Sequence, residues 1–491
     1  MMAAYRAPDR KKPHAPIAEK MAAYAADGAL AFHTPGHKQG KGAHEALRKL
    51  ITAEGLREEV SLMEELDDIH SPSGCIKEAE ELAARLYGAK AAYFMVNGTS
   101  GAIHTMLLAA LSPGDTVLVQ RNAHRSVYSA LVLLGARPIY LAPEVDERLG
   151  IAHGVAPATI VRAIQRHPEA RAAVLVNPTY YGITTELDEI AEYLHNKGRL
   201  LLVDEAHGPH LAFCDRLPQD AIAAGADMAA QSTHKILGAM TQGSLLLANG
   251  DHVDYARIRE TTGILTTTSP NQLLLASIDI ARLQMEESGR EAIERTAALA
   301  EKLRQDINKI PGLWSPGKDD FSRAGAVGLD LTKVTVNLAG LTITAIEAEE
   351  ILRHSYKVQC ELSDPENLLF ILSYADSENE TAVLLAALKD LAQKYLGKEK
   401  KPCTAAMPPL PKTKMSPREA FFAERESVSV KEAAGRIAAE EITCYPPGIP
   451  ALVPGDVVTE EVLRYLERMR KLGRRTIGAQ DADFEKVVVV K

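Results

Sequence analysis

The chain has 491 residues, 46% of them apolar and 25% charged, with a formal net charge of −9. That length is too great for one small core and predicts two or three domains of an ordinary soluble globular protein. The acidic balance, with no basic stripe and no interleaved aromatics, argues against nucleic acid as a partner, and no apolar run approaches the roughly twenty residues of a membrane span. Residues 1–20 mix Arg, Asp, Lys and three prolines, which is no signal peptide, so a cytoplasmic location is expected. The five cysteines (Cys75, Cys214, Cys360, Cys403, Cys444) stand alone without a CxxC pair, so no disulfide framework, zinc site or other metal site is indicated.

Residues 1–60 read as an N-terminal arm. The apolar spacing of 17–30 is helical, and Phe32-His33-Thr34-Pro35-Gly36-His37-Lys38-Gln39-Gly40 then breaks it, either as a connecting turn or as a functional loop. Over 61–300 the chain alternates short apolar runs with helical stretches. Strands are expected at 91–96, 116–120, 138–141, 172–177, 199–204, 228–232 and 244–248, and helices at 75–87, 101–111, 126–134, 156–166 and 187–196. This rhythm predicts an α/β domain with a mainly parallel seven-stranded sheet covered by helices on both faces. A long helix over 270–310 leads to a smaller α+β domain, 301–397, with strands expected at 333–338, 357–361 and 368–374 and helices at 345–354 and 380–395. A charged, proline-rich break spans 398–411. A small C-terminal domain, 412–491, follows; it opens a helix at Ser416-Pro417 and contains the turn Tyr445-Pro446-Pro447-Gly448-Ile449-Pro450 ahead of Pro454-Gly455-Asp456.

Chemistry points to Gln231-Ser232-Thr233-His234-Lys235-Ile236-Leu237-Gly238. A lone Ser-x-His-Lys is usually accidental, but thirty residues upstream Leu201-Leu202-Val203-Asp204-Glu205-Ala206-His207-Gly208 reads as a buried strand delivering a carboxylate at its C-terminal edge. An amine to bind an aldehyde and a sequestered carboxylate to keep a ring nitrogen protonated together describe pyridoxal 5'-phosphate. Gly98-Thr99-Ser100-Gly101, at a strand-to-helix junction, offers backbone donors, hydroxyls and a helix N-terminus to a phosphate. His124, just past the strand ending at Gln120, is placed to stack on a ring, and Thr179 in Asn177-Pro178-Thr179 to reach the cofactor's phenolic oxygen.

With the order Gly98-Thr99-Ser100, His124, Asn177-Pro178-Thr179, Asp204-x-Ala206-His207 and Ser232-x-His234-Lys235 in view, the chain resembles the ornithine/lysine/arginine decarboxylase family of PLP fold type I (the aspartate-aminotransferase fold). The likeness extends from His33-Thr34-Pro35-Gly36-His37 to the turn at 445–450, and it is to the short bacterial form, often an arginine decarboxylase. It implies that Lys235 carries the cofactor, that Asp204 pairs with the ring nitrogen, and that His124 stacks on the ring. Thr99, Ser100, Ser232 and His234 would hold the phosphate, with Ala206 and His207 beside the ring and His207 or Lys235 as proton donor to Cα. It implies a homodimer or higher oligomer in which residues 266–269 of a neighbouring chain reach the phosphate. Decarboxylation of a basic L-amino acid follows: arginine to agmatine and CO₂ in polyamine biosynthesis first, lysine to cadaverine or ornithine to putrescine next. An apolar or anion-poor wall is expected beside the departing carboxylate.

An aminotransferase of the same fold is the nearest rival, yet 369–373 lacks the arginine such enzymes use for the α-carboxylate. A non-catalytic PLP-binding regulator is the rival from another class, and it is disfavoured by the intact Lys235, Asp204 and His207. Glu361 and Asp364, with Glu64, Asp67 and Asp68, are candidates for the substrate's distal cation. One departure from the family pattern is Asp456, where a Glu usually follows Pro-Gly.

Overall fold

A computed structural model describes residues 12–61, 63–397, 408–444, 449–471, 476–481 and 483–491. The linker 398–407 and most of the proline-rich turn, 445–448, lie outside the described residues.

After the arm helix α1 (Pro16–Asp27) and α2 (Cys75–Tyr87), the chain lays down β1 (Ala91–Met95), α3 (Gly98–Ala110), β2 (Thr116–Gln120), α4 (Arg125–Leu134), β3 (Arg137–Leu141), α5 (Pro157–Arg166), β4 (Ala172–Val176), α6 (Leu187–His195), β5 (Leu200–Asp204), β6 (Met228–Gln231) and β7 (Ser244–Ala248). These seven strands form one sheet in the order β1-β7-β6-β5-β4-β2-β3. The pairs from β6 to β3 are parallel, and β7 runs antiparallel to both of its neighbours. The strands are near-continuous apolar runs because both faces are covered. In β5, Leu201 and Val203 face a core shared with Ile76, Ile190 and Ile278, while Leu202 faces Ile103, Met106 and Leu131 on the other side.

Helix α7 (Gln272–Ile307) is 36 residues long. Leu275 to Ala297 pack into the sheet's core, and Leu299 to Ile307 into a second core with Val334, Val336, Leu368 and Leu388. That second core surrounds β8 (Lys333–Asn337), its antiparallel partner β9 (Asn367–Ile371) and α8 (Glu378–Tyr395). The strand expected at 357–361 does not form. The helix Ala345–Ile351 continues as a wide turn over Leu352–Tyr356 and stops at Lys357 with φ 58°, so only Leu362–Ser363 are free to pair with β9. A left-handed residue at that point ends the helix and delays the extended segment by five residues.

The C-terminal segment has its own core of Val458, Val462, Leu466, Val487 and Val489. A fully buried ion pair joins it to the sheet: the Arg121 guanidinium donates to Asp456 Oδ2 at 2.6 Å. The same carboxylate accepts from Thr413 Oγ1 at 3.0 Å and from Val453 N at 3.1 Å, so the shorter side chain at 456 is fully engaged.

Candidate active site

The loops leaving β1, β2, β4, β5 and β6 all emerge at the carboxyl edge of the parallel strands, where open α/β sheets bind ligands. Because β7 is reversed, its first residue, Ser244, lies at the same edge beside the end of β6. Gly98 has φ 66°, a backbone state costly for other residues, and it turns β1 directly into α3. The Asn97 side chain does not cap this helix. Thr99, in its first turn, places Oγ1 at 2.5 Å from Ser232 Oγ and 2.9 Å from Ser244 Oγ. His234 Nδ1 lies 2.9 Å from the Gly243 carbonyl, which can only accept, so Nδ1 carries the proton. Ser100 is exposed on the same first turn of α3. Hydroxyls, a helix N-terminus and a histidine thus gather in one place, a donor set suited to a phosphate.

Lys235 sits on the short helical turn Thr233–Ile236. The chain passes close behind it: a Cβ at Gly238 would stand 2.5 Å from Tyr374 Oη, the tip of a half-buried side chain. Lys235 Nζ lies 2.9 Å from His207 Nε2. Solvent reaches Lys235, yet burial still lowers its pKa against the opposing pull of Asp204 and Glu361. His207 is driven well below the usual imidazole range by burial and by the charges of Lys333 and Lys235. It is therefore neutral, its Nε2 accepts from the Lys235 amine, and its proton sits on Nδ1, a buried atom with no hydrogen-bond partner.

Asp204, buried at the end of β5, accepts from Ala206 N at 3.1 Å. Burial raises its pKa, while His124 and Lys235 act to lower it, so an additional cation against it would favour the ionised form. His124 is exposed at the head of α4, with Nδ1 at 2.8 Å from Ser126 Oγ, and burial by its surroundings lowers its pKa. An amine with depressed pKa, a neutral histidine touching it and a sequestered carboxylate on the adjacent strand end can hold an aldehyde-bearing pyridine.

Other expected residues are placed differently. Thr179 is buried and closes its own turn, Oγ1 accepting from Ile183 N at 3.1 Å. Asp364 is buried and accepts from Tyr181 Oη at 2.7 Å, Asn367 Nδ2 at 2.8 Å and two backbone amides, so both of its oxygens are engaged within the chain. Asp67 caps the start of α2, taking amide hydrogens from Ser73, Gly74, Ile76 and Lys77. Asp68 accepts from His70 N, and Glu64 is exposed in the arm region. The arm-loop histidines are also used locally, His37 with Glu59 at 2.7 Å and His33 with Tyr24 at 3.0 Å. Glu361 is the candidate carboxylate that faces the site: it takes the Tyr180 hydroxyl hydrogen, and its charge acts on both Lys235 and Lys333.

Two neighbours of Lys235 were not anticipated. The Tyr180 ring stands 4.4 Å from that of His207 and 5.9 Å from Lys235 Nζ. Lys333, the first residue of β8, is fully buried with its Nζ unpartnered. In sequence it looks like an ordinary strand-edge lysine, and only the Asp330-Leu331-Thr332 turn ahead of it hints otherwise.

A mainly parallel α/β sheet with a hydroxyl-lined helix N-terminus, a buried carboxylate and a lysine on its carboxyl edge defines a PLP fold type I protein. The chain belongs to the Orn/Lys/Arg decarboxylase family: the family's major-domain pattern matches residues 15–318 and its C-terminal-domain pattern residues 400–481. It is 41% identical to an arginine decarboxylase of Halalkalibacterium halodurans over 97% of both chains, and 40% identical to that of Bacillus subtilis over 94% of both. The inducible lysine decarboxylase of Escherichia coli is more distant, 27% identical over 94% of this chain and 78% of that one. In structure, the lysine decarboxylase LdcF of Francisella novicida superposes with a TM-score of 0.85 at 24% identity, covering 98% of this chain and 81% of its own. Ureidoglycine-glyoxylate aminotransferase of Bacillus subtilis shares the fold more loosely, with a TM-score of 0.53 and 16% identity over 67% of this chain. The fold therefore spans more than one reaction, and the site must decide between them. Among the described residues no helix is long and apolar enough to cross a membrane.

Proposed function

We propose that the chain decarboxylates a basic L-amino acid, L-arginine to agmatine and CO₂ first of all, with pyridoxal phosphate held at this sheet edge. The observation that carries the reading is the contact of the Lys235 amine with a neutral His207, opposite the buried Asp204. In this reading Lys235 binds the cofactor's aldehyde carbon, and Asp204 holds the ring nitrogen protonated. Gly98, Thr99, Ser100, Ser232 and His234 take the phosphate, while His124 and Ala206 flank the ring. When bound, the cofactor supplies an electron sink for the pair left on Cα by the departing carboxylate. His207 Nε2, accepting from the Lys235 amine, is positioned to hold that amine where it can pass a proton to that carbon.

Glu361 is the acid we assign to the distal cation; Thr179 acts by shaping its turn and Asp364 by fixing Tyr181. Arginine is favoured over lysine or ornithine because the relatives near 40% identity bear the name arginine decarboxylase, whereas the named lysine decarboxylase is 27% identical. Retention of the carboxylate, as in an aminotransferase, is disfavoured because Leu369-Phe370-Ile371-Leu372-Ser373 holds no arginine. We take the enzyme to be cytoplasmic, to serve polyamine synthesis and to work as a homodimer or an assembly of dimers, with 266–269 of a second copy near the phosphate.

The test is direct. Purified protein loaded with pyridoxal phosphate is given arginine, lysine or ornithine without any 2-oxo acid, and CO₂ and amine are quantified. Agmatine formation at the highest kcat/KM is expected; turnover that requires a 2-oxo acid, or none with any of the three, overturns the assignment. Lys235→Ala should lack the visible absorbance of the loaded protein.

A further inference from the structure

We infer that the segment Gln242-Gly243-Ser244 sets the spacing between the two ends of the cofactor site, with Gln242 and Ser244 as positioning residues that act through their neighbours. This inference rests on the reading above, in which pyridoxal phosphate is held between the first turn of α3 and Lys235.

The two ends of that site come from strands that are not neighbours. Helix α3 follows β1 and Lys235 follows β6, and β7 lies between those two strands in the sheet. Residues 242–244 lead into β7, where Ser244 is paired with Met95 of β1 and Leu245 with Gln231 of β6. On the phosphate side, Gln242 O accepts from Gly98 N at 3.0 Å and Gln242 Nε2 donates to Val96 O at 3.1 Å, so one residue grips the chain on both sides of the turn into α3. Its own amide being spent, Gly98 serves the phosphate through the turn it makes. On the lysine side, the Gly243 carbonyl accepts from His234 N at 3.3 Å and from His234 Nδ1 at 2.9 Å.

Ser244 joins the two sides. It is fully buried, and its hydroxyl lies 2.5 Å from Gln231 O; a carbonyl can only accept, so Ser244 gives its proton there. Thr99 then donates to Ser244, and Ser232 to Thr99. This run of three hydroxyls has one direction, and it ties the first turn of α3 to the residue three positions before Lys235. The neighbouring backbone shows that the segment is constrained. Gln242 has φ 85°, a state that suits glycine far better, and what glycine would lack there is the side-chain bond to Val96. At Gly243 a Cβ would stand 3.0 Å from each of Ala239 Cβ, Ile278 Cγ1 and Met240 O. A ligand that engages both ends of the site gains from having them spaced in advance, whereas a ligand that engages one end does not.

The test uses the full-length protein freed of cofactor, as wild type, as Ser244→Ala, and as Gln242→Gly in case the first variant fails to fold. Pyridoxal phosphate and pyridoxal are titrated by visible absorbance, and inorganic phosphate by its competition with pyridoxal phosphate. Affinity for pyridoxal phosphate, which reaches both ends, should fall at least fivefold, while those for pyridoxal and for inorganic phosphate, which reach one end each, stay within twofold. Parallel loss of pyridoxal phosphate and inorganic phosphate would make the segment part of the phosphate site itself, and equal loss of all three ligands, or of none, would leave it no part in spacing; each of these results overturns the inference. Wild-type protein that binds no pyridoxal phosphate overturns instead the reading on which the inference rests, and the inference with it.

Discussion

Replacing Lys333 by Met should stabilise the cofactor-free chain. Burial lowers the ammonium's pKa from 10.5 to about 8, with Asp330 acting against that fall. At about 1.4 kcal/mol per pH unit the drop corresponds to about 3 kcal/mol by which the unfolded chain holds this proton more tightly. Between pH 8 and 10.5 the unfolded state binds more proton than the native one, so stability rises with pH in that window. The deficit is complete below about pH 8 and gone above 10.5. Urea unfolding, followed through the single tryptophan, Trp314, at fixed protein concentration, measures both chains under the same conditions. Taking the difference between chains cancels the titration of every other group. The Lys333→Met chain should lead by about 3 kcal/mol at pH 7 and by about 1 kcal/mol at pH 9.5. A gap that stays constant across this range would refute the claim that a buried charge is its source.

Three further outcomes follow from the geometry. Asp456→Ala leaves Arg121 buried without its counter-ion and should cost about 3–5 kcal/mol in chemical denaturation, whereas an exposed acidic control such as Glu45→Ala should cost less than about 1 kcal/mol. Asp204→Asn should lower kcat/KM at least about a hundredfold, roughly 3 kcal/mol of transition-state stabilisation, and near-normal turnover would remove its proposed part in holding the ring nitrogen's proton. Gly182→Ala forces a Cβ into the Lys333 stem at a positive φ and should destabilise the chain by about 1–3 kcal/mol in thermal or urea unfolding.

The seven strands of the large sheet were legible because each is an unbroken apolar run covered on both faces, and several end on a polar residue that the edge then uses, such as Asp204 and Gln231. The missing strand at 357–361 was not legible, because its failure is decided by Lys357 adopting a left-handed backbone after the preceding turn widens. Motif chemistry brought Thr99, Ser232, Asp204, His207 and Lys235 to attention because their residue types repeat a recognisable order. The acidic candidates were harder to rank. Asp67 and Asp364 differ from Glu361 only in the local amides and hydroxyls that consume their oxygens, and those partners appear once the turns are built. Lys333 was invisible for a related reason. In Lys-Val-Thr-Val-Asn a terminal lysine reads as a solvated strand edge, and its burial is imposed by a glycine turn about 150 residues earlier in the chain.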